Sequence, residues 1–317
     1  MTRIVVLDDY QFLADELGDW DRLGEEFEVD YLHRHLEGEP LLAAIGDAEV
    51  VVAMRERTAF PRELLERLSG LRLLVTTGMA NAAIDLEAAT ALGITVCGTA
   101  SGSDGTVELT WALILAAVKQ LRREDAAMRR GAWQEHLSGD LKGATLGLIG
   151  LGRLGGAMVP IAKAFGMEVV AWSQNLTAER AAEAGARLVT KEELLGAADV
   201  VSIHLKLGDR SRGLIGAAEL AQMRRSAYLV NTSRGPIVDE QALVEALRGN
   251  AIAGAALDVY DVEPLPADHP LLALDNVVLT PHLGYASEAN FAHYFADIVD
   301  DIVAFATGSP VRVLAAP

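Results

Sequence analysis

The stretch Thr145-Leu-Gly-Leu-Ile-Gly150-Leu-Gly152-Arg-Leu-Gly155 decides the fold of this chain. Its first five residues form an apolar, strand-like run, and the residues after it have the composition of a helix. A second apolar run, Glu168–Trp172, follows at the spacing of a strand–helix–strand unit. In such a unit the first glycine permits a tight turn, the second lets backbone N–H groups approach a pyrophosphate, and the third lets helix and strand pack closely. We therefore expect Gly150, Gly152 and Gly155 to form a dinucleotide-binding loop.

Short β-branched runs alternate with amphipathic stretches on both sides of this loop. Alternation of this kind, with nearly continuous apolar strands, indicates parallel sheets that helices cover on both faces. We predict an α/β fold with two doubly wound parallel sheets. The predicted strands are Arg3–Leu7, Phe27–Leu32, Val50–Ala53, Leu73–Val75, Ile94–Val96, Thr145–Ile149, Glu168–Trp172, Arg187–Val189, Val200–His204, Ala227–Asn231, Ile252–Leu257 and Val277–Leu279.

One long helix, Thr106 to about Met128, is predicted between the two series of strands. Its first half is too apolar for a surface linker, so it is either a core helix or a helix that also packs against a second subunit. The loop before it, 98–105, has the composition of a hinge. A last helix is predicted from Ser287 to about Thr307. If that helix packs on the N-terminal domain, the chain crosses between its domains twice.

Charge and composition exclude several classes of protein. The chain has 317 residues and a net charge of −18, which argues against binding to nucleic acid or to an anionic membrane surface. Cys97 is the single cysteine, so no disulfide is expected within the chain. We see no signal peptide and no apolar run of the ~20 residues that a bilayer requires, and we expect a cytoplasmic protein. The seven histidines show no metal-ligand spacing, so no metal site is predicted.

Three titratable residues follow late strands: Arg234, Glu263 and His282. Ligands of open α/β sheets bind beyond the carboxyl ends of the strands, so these side chains could converge near one pocket. Their chemistry suits hydride transfer between a nicotinamide and a carbonyl group. Histidine can donate the proton, a carboxylate beside it favours the charged ring, and arginine binds a carboxylate as a fork. Taken singly, each residue is more often a surface or capping residue.

The cofactor preference depends on the residue at the end of the strand Glu168–Trp172. A carboxylate there binds the ribose hydroxyls of NAD, but this chain has Ser173. No arginine or lysine lies immediately beside Ser173 in the sequence to hold the 2′-phosphate of NADP. Both NAD(H) and NADP(H) stay open as cofactors, with a slight preference for NAD, and we expect Ser173 to lower the selectivity against NADP.

At this point the sequence resembles the D-isomer-specific 2-hydroxyacid dehydrogenase family over most of its length. The order Arg, Glu, His within its flanking motifs is specific to that family. The matching stretches are Thr106–Thr110, Gly150–Gly155, Val200–His204, Asn231–Leu247, Gly254–Pro264, Asp268–Leu272 and Thr280–His282.

The resemblance implies a domain arrangement and a role for each site residue. It implies a flavodoxin-like substrate domain of residues 1–98 and 286–317, with a Rossmann NAD(P)-binding domain of residues 99–285 inserted into it. Arg234 would bind and orient a small 2-oxo or 2-hydroxy acid, His282 would be the acid–base, and Glu263 its partner. Cofactor contacts are implied for Gly150, Gly152, Arg153, Leu154, Gly155, Ser173, His204, Ser211, Thr232, Ser233 and Asp258, the last of these to the nicotinamide carboxamide. Family members also commonly form homodimers.

Two further departures from the family pattern bear on the site. The usual His-x-Pro motif is His204-Leu-Lys206 here, which places a cation near the cofactor. The substrate-domain loop that starts with Gly78-Met79 lacks the usual second glycine and Asp-Asn pair. Gly78 and Met79 are still expected at the substrate, because this loop normally offers N–H groups to a carboxylate. Arg55 or Arg57 could bind a second acidic group on the substrate, although both could equally be solvated loop residues.

The interpretation is thus an NAD(P)-dependent dehydrogenase that interconverts a 2-oxo acid and a D-2-hydroxy acid. The alternative is a nicotinamide-sensing binding protein similar to the corepressors of the same family. The absence of a long disordered tail or basic region counts against the alternative. The sequence does not distinguish phosphoglycerate, glyoxylate and hydroxypyruvate as substrates.

Overall fold

The predicted apolar runs form two separate parallel sheets in the computed structural model, which describes residues 1–315. Contacts divide the chain into one unit of Met1–Gly102 with the chain from Ala286 onward, and a second unit of Ser103–Tyr285. The sequence placed the first boundary at residue 98, four residues earlier, within the loop that was expected to be a hinge.

The first unit has a five-stranded sheet in the order β2-β1-β3-β4-β5. Its strands β3 and β4 are buried along their whole length, which explains their continuous apolar sequences. The strands are β1 Thr2–Val6, β2 Phe27–Tyr31, β3 Val50–Ala53, β4 Leu73–Thr76 and β5 Thr95–Gly98, and the helices between them are α1 Ala14–Leu17, α2 Gly38–Ile45, α3 Arg62–Leu65 and α4 Leu86–Ala91.

The second unit has a seven-stranded parallel sheet in the order β12-β11-β10-β9-β6-β7-β8. Its strands are β6 Thr145–Ile149, β7 Glu168–Trp172, β8 Arg187–Leu188, β9 Val200–Ile203, β10 Tyr228–Asn231, β11 Gly254–Leu257 and β12 Val277–Leu279. Its helices are α5 Asp104–Val118, α6 Leu121–Arg129, α7 Arg153–Ala164, α8 Ala178–Glu183, α9 Lys191–Ala197, α10 Ala217–Leu220 and α11 Glu240–Arg248. Short 3-10 turns occur at Trp20–Leu23, Gly235–Ile237 and Pro270–Ala273.

The second sheet has a hydrophobic core on each face, because neighbouring residues of a strand point to opposite sides. In β6, Leu148 packs into one core and Ile149 into the other. The same division separates Val200 from Val201 in β9. Burial on both faces fixes the register, since a shift by one residue would exchange the two cores. The predicted class, two doubly wound parallel sheets, is confirmed.

The prediction of one helix from Thr106 to Met128 is wrong. The chain leaves the helix after Val118, because Gln120 adopts a left-handed backbone with φ of 56°, and α6 starts at Leu121. The Gln120 side chain stabilises the break by donating a hydrogen bond of 2.6 Å from Nε2 to the hydroxyl of Tyr228. Neither glycine nor proline marks this position, so the sequence carries no local signal for the break.

The last helix, α12 Glu288–Ala306, begins at Ser287, whose hydroxyl accepts a hydrogen bond from the Asn290 N–H. It belongs to the first unit. The chain beyond it returns to the edge of the first sheet, where Val313 forms an antiparallel bridge with Cys97. Arg312 fastens this return to the helix through ion pairs with Asp301 and Asp297, at 3.0 and 3.2 Å.

The ionisation of Asp301 should make the stability of the protein depend on pH. Burial raises the pKa of this carboxyl to about 7, although the Arg312 guanidinium opposes the rise. An aspartate in an unfolded chain titrates near pH ~3.9, so between these values the folded chain keeps a proton that the unfolded chain has released. The free energy of unfolding should therefore fall as the pH rises from about 4 to about 7. Asp301→Asn should flatten this fall, and denaturant unfolding at a series of pH values measures it.

The matched control for this experiment is Asp300→Asn, on the same helix, because Asp300 is half exposed and pairs with Arg22. The control should reproduce the pH profile of the parent. Parallel profiles for the parent and Asp301→Asn would show that Asp301 titrates as it does in the unfolded chain.

Candidate active site

The predicted site residues of the second unit follow strands that lie side by side in the sheet. The glycine loop follows β6, His204 follows β9, Arg234 follows β10, Glu263 follows β11 and His282 follows β12. Because these strands are all parallel, their carboxyl ends lie along one edge of the sheet. The order of the strands reverses around β6, which is where open α/β sheets bind ligands.

The glycine loop is packed so tightly that two of its positions exclude a side chain. Gly150 has a φ of 102°, and a Cβ atom there would lie 2.4 Å from the carbonyl oxygen of His204. A Cβ atom on Gly155 would lie 2.1 Å from the carbonyl oxygen of Gly150. At Gly152, by contrast, a Cβ atom would meet no other atom within 4 Å. The structure thus shows the turn and the close packing expected of Gly150 and Gly155, and open space above Gly152.

The amino terminus of α7 offers backbone donors to that open space. Gly152 is its N-cap residue, with no side-chain cap and no acidic residue in the first turn. The first N–H groups of a helix, here those of Arg153 and Leu154, have no partner within the helix. Together with the positive end of the helix dipole they favour an anion. The loop therefore fits the pyrophosphate of a dinucleotide, and these residues are the ones that would hold it.

Two adjacent glycines provide a test of this packing. Gly155→Ala should destabilise the second unit by about 1–3 kcal/mol, because the new methyl group must displace backbone. Gly156→Ala should leave stability nearly unchanged or raise it slightly, because nothing lies within 4 Å of its Cβ position and alanine favours the helix. Denaturant unfolding of the two variants measures the difference. Equal stabilities would contradict the close approach of Gly155 to Gly150.

His282 and Glu263 are brought together, although 18 residues separate them in the sequence. The distance between His282 Nδ1 and Glu263 Oε2 is 2.6 Å. The other carboxylate oxygen, Oε1, accepts a hydrogen bond from the backbone N–H of Tyr260 at 2.9 Å, which fixes the carboxylate. The ring of Tyr285 contacts the imidazole edge-on at a centroid distance of 5.3 Å. Both His282 and Glu263 keep part of their surface exposed, at 19% and 32% of the side chain.

Asp258 holds the turn that carries His282. Its buried carboxylate accepts hydrogen bonds from the Thr280 hydroxyl at 2.6 Å and from the N–H groups of Leu283 and Gly284 at 2.7 and 2.9 Å. These bonds lie on both sides of His282, whose backbone is left-handed with a φ of 54°. A non-glycine residue keeps such a backbone only where its surroundings determine it. Asp258 is 0% exposed and acts on His282 through these bonds, which makes it a positioning residue, and its predicted contact with a carboxamide stays a prediction.

Arg234 lies at the start of the turn Gly235–Ile237, directly after β10. Its guanidinium donates a hydrogen bond from NH1 to the carbonyl oxygen of Ser233, and its own carbonyl accepts one from the Asn231 side chain. A Cβ atom on Gly235 would lie 2.1 Å from backbone atoms of Tyr260, so the Arg234 turn packs directly on the loop that leads to Glu263. This contact fixes the position of the Arg234 turn relative to the loop that leads to Glu263.

The hydroxyl residues predicted at the cofactor are buried and bonded within the second unit. Thr232 shares a hydrogen bond of 2.8 Å with Thr110, and the Ser233 hydroxyl donates to the carbonyl of Ile203 at 2.7 Å. The Ser211 hydroxyl donates to the Lys206 carbonyl and accepts from the Gly208 N–H. These side chains therefore shape the loops, and any contact with a cofactor stays a prediction.

His204 remains uncharged over the working pH range. Burial lowers its pKa to about 4. Its Nε2 atom shares a hydrogen bond of 2.9 Å with the Ser202 hydroxyl, and its Nδ1 atom is buried with no hydrogen-bond partner. The charge expected near this position therefore comes from the exposed Lys206 and not from His204.

The predicted substrate residues lie at the carboxyl edge of the first sheet. Arg55 has a left-handed backbone with φ of 53° and donates a hydrogen bond from NH1 to the carbonyl of Thr77 at 2.9 Å. Its guanidinium occupies the space that a side chain on Gly78 would need, at 1.8 Å from the Cβ position. Arg57 instead packs over the ring of Tyr10 at 4.3 Å and donates to the carbonyl of Asp8, so it supports the fold.

One expected donor of this edge is used internally. The N–H of Gly78 donates to the Thr99 hydroxyl at 2.9 Å, and any contact of Gly78 with a substrate stays a prediction. Gly78 also supplies space for Arg55. Met79 beside it is half exposed.

One supporting pair, Glu240 and His269, was not predicted from the sequence. Glu240 accepts hydrogen bonds from His269 Nε2 at 3.0 Å and from the backbone N–H of Asp261 at 3.3 Å, and so holds the loop that carries Glu263. His269 in turn caps the turn Pro270–Ala273. Only the fold brings Glu240 and His269 together, so no local pattern could reveal them.

Comparison with known proteins supports this arrangement. Residues 111–284 match the family model described as D-isomer specific 2-hydroxyacid dehydrogenase, NAD binding domain. The chain is 42% identical over 256 residues to a glyoxylate reductase of Aeropyrum pernix. The aligned region covers 78% of this chain and 76% of the relative. It is 35% identical over 296 residues to a D-3-phosphoglycerate dehydrogenase of Archaeoglobus fulgidus, covering 90% of this chain and 56% of the relative. The chain thus spans about half the length of the phosphoglycerate dehydrogenases that it matches.

Solved structures show the same architecture. A phosphoglycerate oxidoreductase from Vibrio cholerae O395 superimposes with a TM-score of 0.92 at 33% identity, covering 97% of this chain and 100% of that one. The D-lactate dehydrogenase of Escherichia coli superimposes with a TM-score of 0.83 at 25% identity, covering 99% and 100%. Within residues 1–315 we find neither a helix long and apolar enough to cross a membrane nor three metal-ligating side chains grouped together.

Proposed function

The chain belongs to the D-isomer specific 2-hydroxyacid dehydrogenase family, and from this premise we propose that it reduces a small 2-oxo acid to the D-2-hydroxy acid, with NAD(H) as the preferred cofactor. The observation that carries the proposal is the 2.6 Å contact between His282 and Glu263. It lies on the sheet edge that also carries Arg234 and the uncapped amino terminus of α7.

His282 acts as the proton donor in this mechanism. When bound, a reduced nicotinamide would supply the hydride for the carbonyl carbon. The carbonyl oxygen then takes a proton from Nε2 of His282, because Nδ1 is engaged by Glu263. The Glu263 carboxylate stabilises the imidazolium before the transfer and fixes the ring plane. In the oxidative direction the same nitrogen accepts the proton of the hydroxyl group.

Arg234 binds the substrate in this proposal. Its guanidinium can present two parallel donors to a carboxylate. The rest of the substrate is recognised by three further residues. Arg55 contributes charge, Gly78 contributes space and Met79 contributes apolar contact. Glyoxylate and a phosphorylated three-carbon acid, which the names of the relatives suggest, are the first substrates to compare.

The decisive experiment is NADH oxidation with a panel of 2-oxo acids that includes glyoxylate, hydroxypyruvate and pyruvate. Turnover of at least one of them, with a D-2-hydroxy acid as product, is expected. Cofactor binding without turnover of any member would contradict the proposal and favour the alternative of a nicotinamide-sensing protein, which none of the relatives reported above supports.

Substitution of the acid–base pair should separate the roles of its members. His282→Ala should lower kcat by about 10²–10⁴-fold at every pH, which is the contribution of a positioned general acid. Glu263→Gln keeps the shape but removes the charge that favours the imidazolium, so its loss of reductase activity should grow as the pH rises. Profiles of kcat/KM against pH for both variants and the parent measure this. A Glu263→Gln profile that overlays the parent would show that Glu263 is not the partner of His282.

We further propose a homodimer formed through the second unit. Large apolar side chains are exposed on α6 and on the segment that follows it: Leu121 at 54%, Met128 at 60%, Trp133 at 73% and Leu137 at 97%. Exposed apolar residues that cluster along one segment mark an interaction surface more often than isolated ones do. The first part of the predicted long helix is buried in the core and cannot form this contact. The proposed dimer contact is therefore α6 together with the segment that follows it.

The dimer prediction is tested with Leu137→Glu, which places a charge on the most exposed apolar residue of the proposed interface. The parent should have the mass of a dimer in light scattering at micromolar concentration, and Leu137→Glu should shift the mass towards the monomer. Leu92→Glu is the control, since Leu92 is an exposed leucine of the first unit. A monomeric parent would rule the proposal out.

A further inference from the structure

Helix α5 lies across the strands that lead to the candidate site. It packs against β10, β11 and β12 of the second sheet. Its buried residue Trp111 shares a hydrophobic core with Val230 of β10 and Ala256 of β11. The turns that carry Arg234 and the acid–base pair follow the carboxyl ends of these three strands. One helix thus borders the strands of all three turns.

Two threonines in the first half of α5 lie on the same face of the helix. Thr106 and Thr110 are four residues apart, which makes them neighbours on the helix surface. The Thr110 hydroxyl donates a hydrogen bond of 2.7 Å to the Thr106 carbonyl, a common partner of a threonine within a helix. Each of the two hydroxyls also has a partner outside the helix. These outside partners belong to the turns that carry His282 and Arg234.

Thr106 holds the turn after His282. Its hydroxyl donates a hydrogen bond of 2.6 Å to the carbonyl of Gly284, two residues beyond His282. The N–H group of the same glycine donates to the Asp258 carboxylate at 2.9 Å. Asp258 therefore ties the turn to the end of β11, and Thr106 ties it to α5.

Thr110 holds the turn before Arg234. It shares a hydrogen bond of 2.8 Å with the hydroxyl of Thr232, two residues before Arg234. Because Thr110 has a single hydroxyl proton and donates it to the Thr106 carbonyl, Thr232 is the donor of the shared bond. Both Thr110 and Thr232 are buried, so the contact is shielded from water.

We propose that Thr106 and Thr110 are positioning residues of the reaction, which set the spacing between the proton donor and the arginine that binds the substrate. Thr106 positions His282 through the Gly284 carbonyl, and Thr110 positions Arg234 through the Thr232 hydroxyl. The inference rests on the proposed function and deepens it. Neither threonine has to touch the substrate, because a hydroxyl that fixes a turn acts through the side chain that the turn carries.

Thr106→Val removes the hydroxyl and keeps the shape of the side chain. It should lower kcat for the reduction of a 2-oxo acid by about tenfold, the effect of one lost hydrogen bond, and change KM by less than about twofold. The loss should grow as the pH rises, because Glu263 favours the imidazolium of a displaced His282 less strongly. Profiles of kcat and KM against pH measure both effects.

Thr110→Val should affect the other turn. It should raise KM by about tenfold and change kcat by less than about twofold, because a displaced Arg234 no longer presents its fork squarely to the substrate carboxylate. Its activity should depend on pH as that of the parent does. Thr106→Ser and Thr110→Ser keep the hydroxyls and should resemble the parent, which separates the hydrogen bonds from the packing of α5.

The matched control is Thr90→Val on α4 of the first unit, where the Thr90 hydroxyl donates to the Leu86 carbonyl at 2.8 Å. It should leave kcat, KM and the pH profile unchanged. A readout that needs no turnover is the downfield proton resonance of His282 Nδ1–H, which the short contact with Glu263 produces and which His282→Ala identifies by its loss. Thr106→Val should shift or broaden this resonance, and the other two valine variants should not.

The proposal is overturned if Thr106→Val leaves the resonance and the pH profile as in the parent, or if Thr110→Val leaves KM unchanged. It is also overturned if both variants change every readout alike, as a general loosening of α5 would. A parent that shows the resonance but reduces no 2-oxo acid would overturn the proposed function, and the response of the resonance to Thr106→Val would still decide whether Thr106 positions His282.

Discussion

The site depends on a contact between two pieces of backbone. Gly155, in the first turn of α7, approaches the carbonyl of Gly150 so closely that one methyl group would overlap it. This approach aims the uncapped end of the helix at the space above Gly152 and seats the turn against the carbonyl of His204. At positions 150 and 155, packing alone therefore requires glycine, whether or not a ligand binds. A pyrophosphate would meet donors that the fold has already oriented, so little order has to be created on binding.

A second constraint acts at the other end of the same sheet edge. Asp258 bonds to residues on both sides of His282, Tyr260 bonds to Glu263, and Glu240 holds the loop between them. The proton donor and its carboxylate thus stand on loops whose backbones are fixed by buried acceptors. Because His282 and Glu263 are already oriented before the substrate binds, the reaction does not have to supply the entropy cost of orienting them.

Features that show in a local sequence pattern could be predicted, whereas contacts between residues far apart in the chain could not. Every strand within residues 1–315 was predicted, and the central strands such as β3, β4 and β9 stand out because burial on both faces imposes continuous apolar runs. The glycine loop was equally recognisable from its spacing, and two of its three glycines, Gly150 and Gly155, are confined by close backbone packing. The break at Gln120 was missed because a side chain 108 positions away stabilises it. Asp258 was given a ligand contact, yet its partners Thr280, Leu283 and Gly284 become visible only when β11 and β12 lie side by side.

The return of the chain to the first sheet has a consequence for the order in which the protein folds during its synthesis. The second unit is one uninterrupted segment, so it can fold as soon as Tyr285 has left the ribosome. The first unit waits longer, because Phe295 of α12 packs against Trp20, and Val313 forms its bridge with Cys97, only after every residue of the second unit has been made. Until then the surface of the first sheet that α12 covers stays exposed to solvent and to chaperones. A ribosome that stalls late in translation would release a folded second unit joined to an unfinished first one.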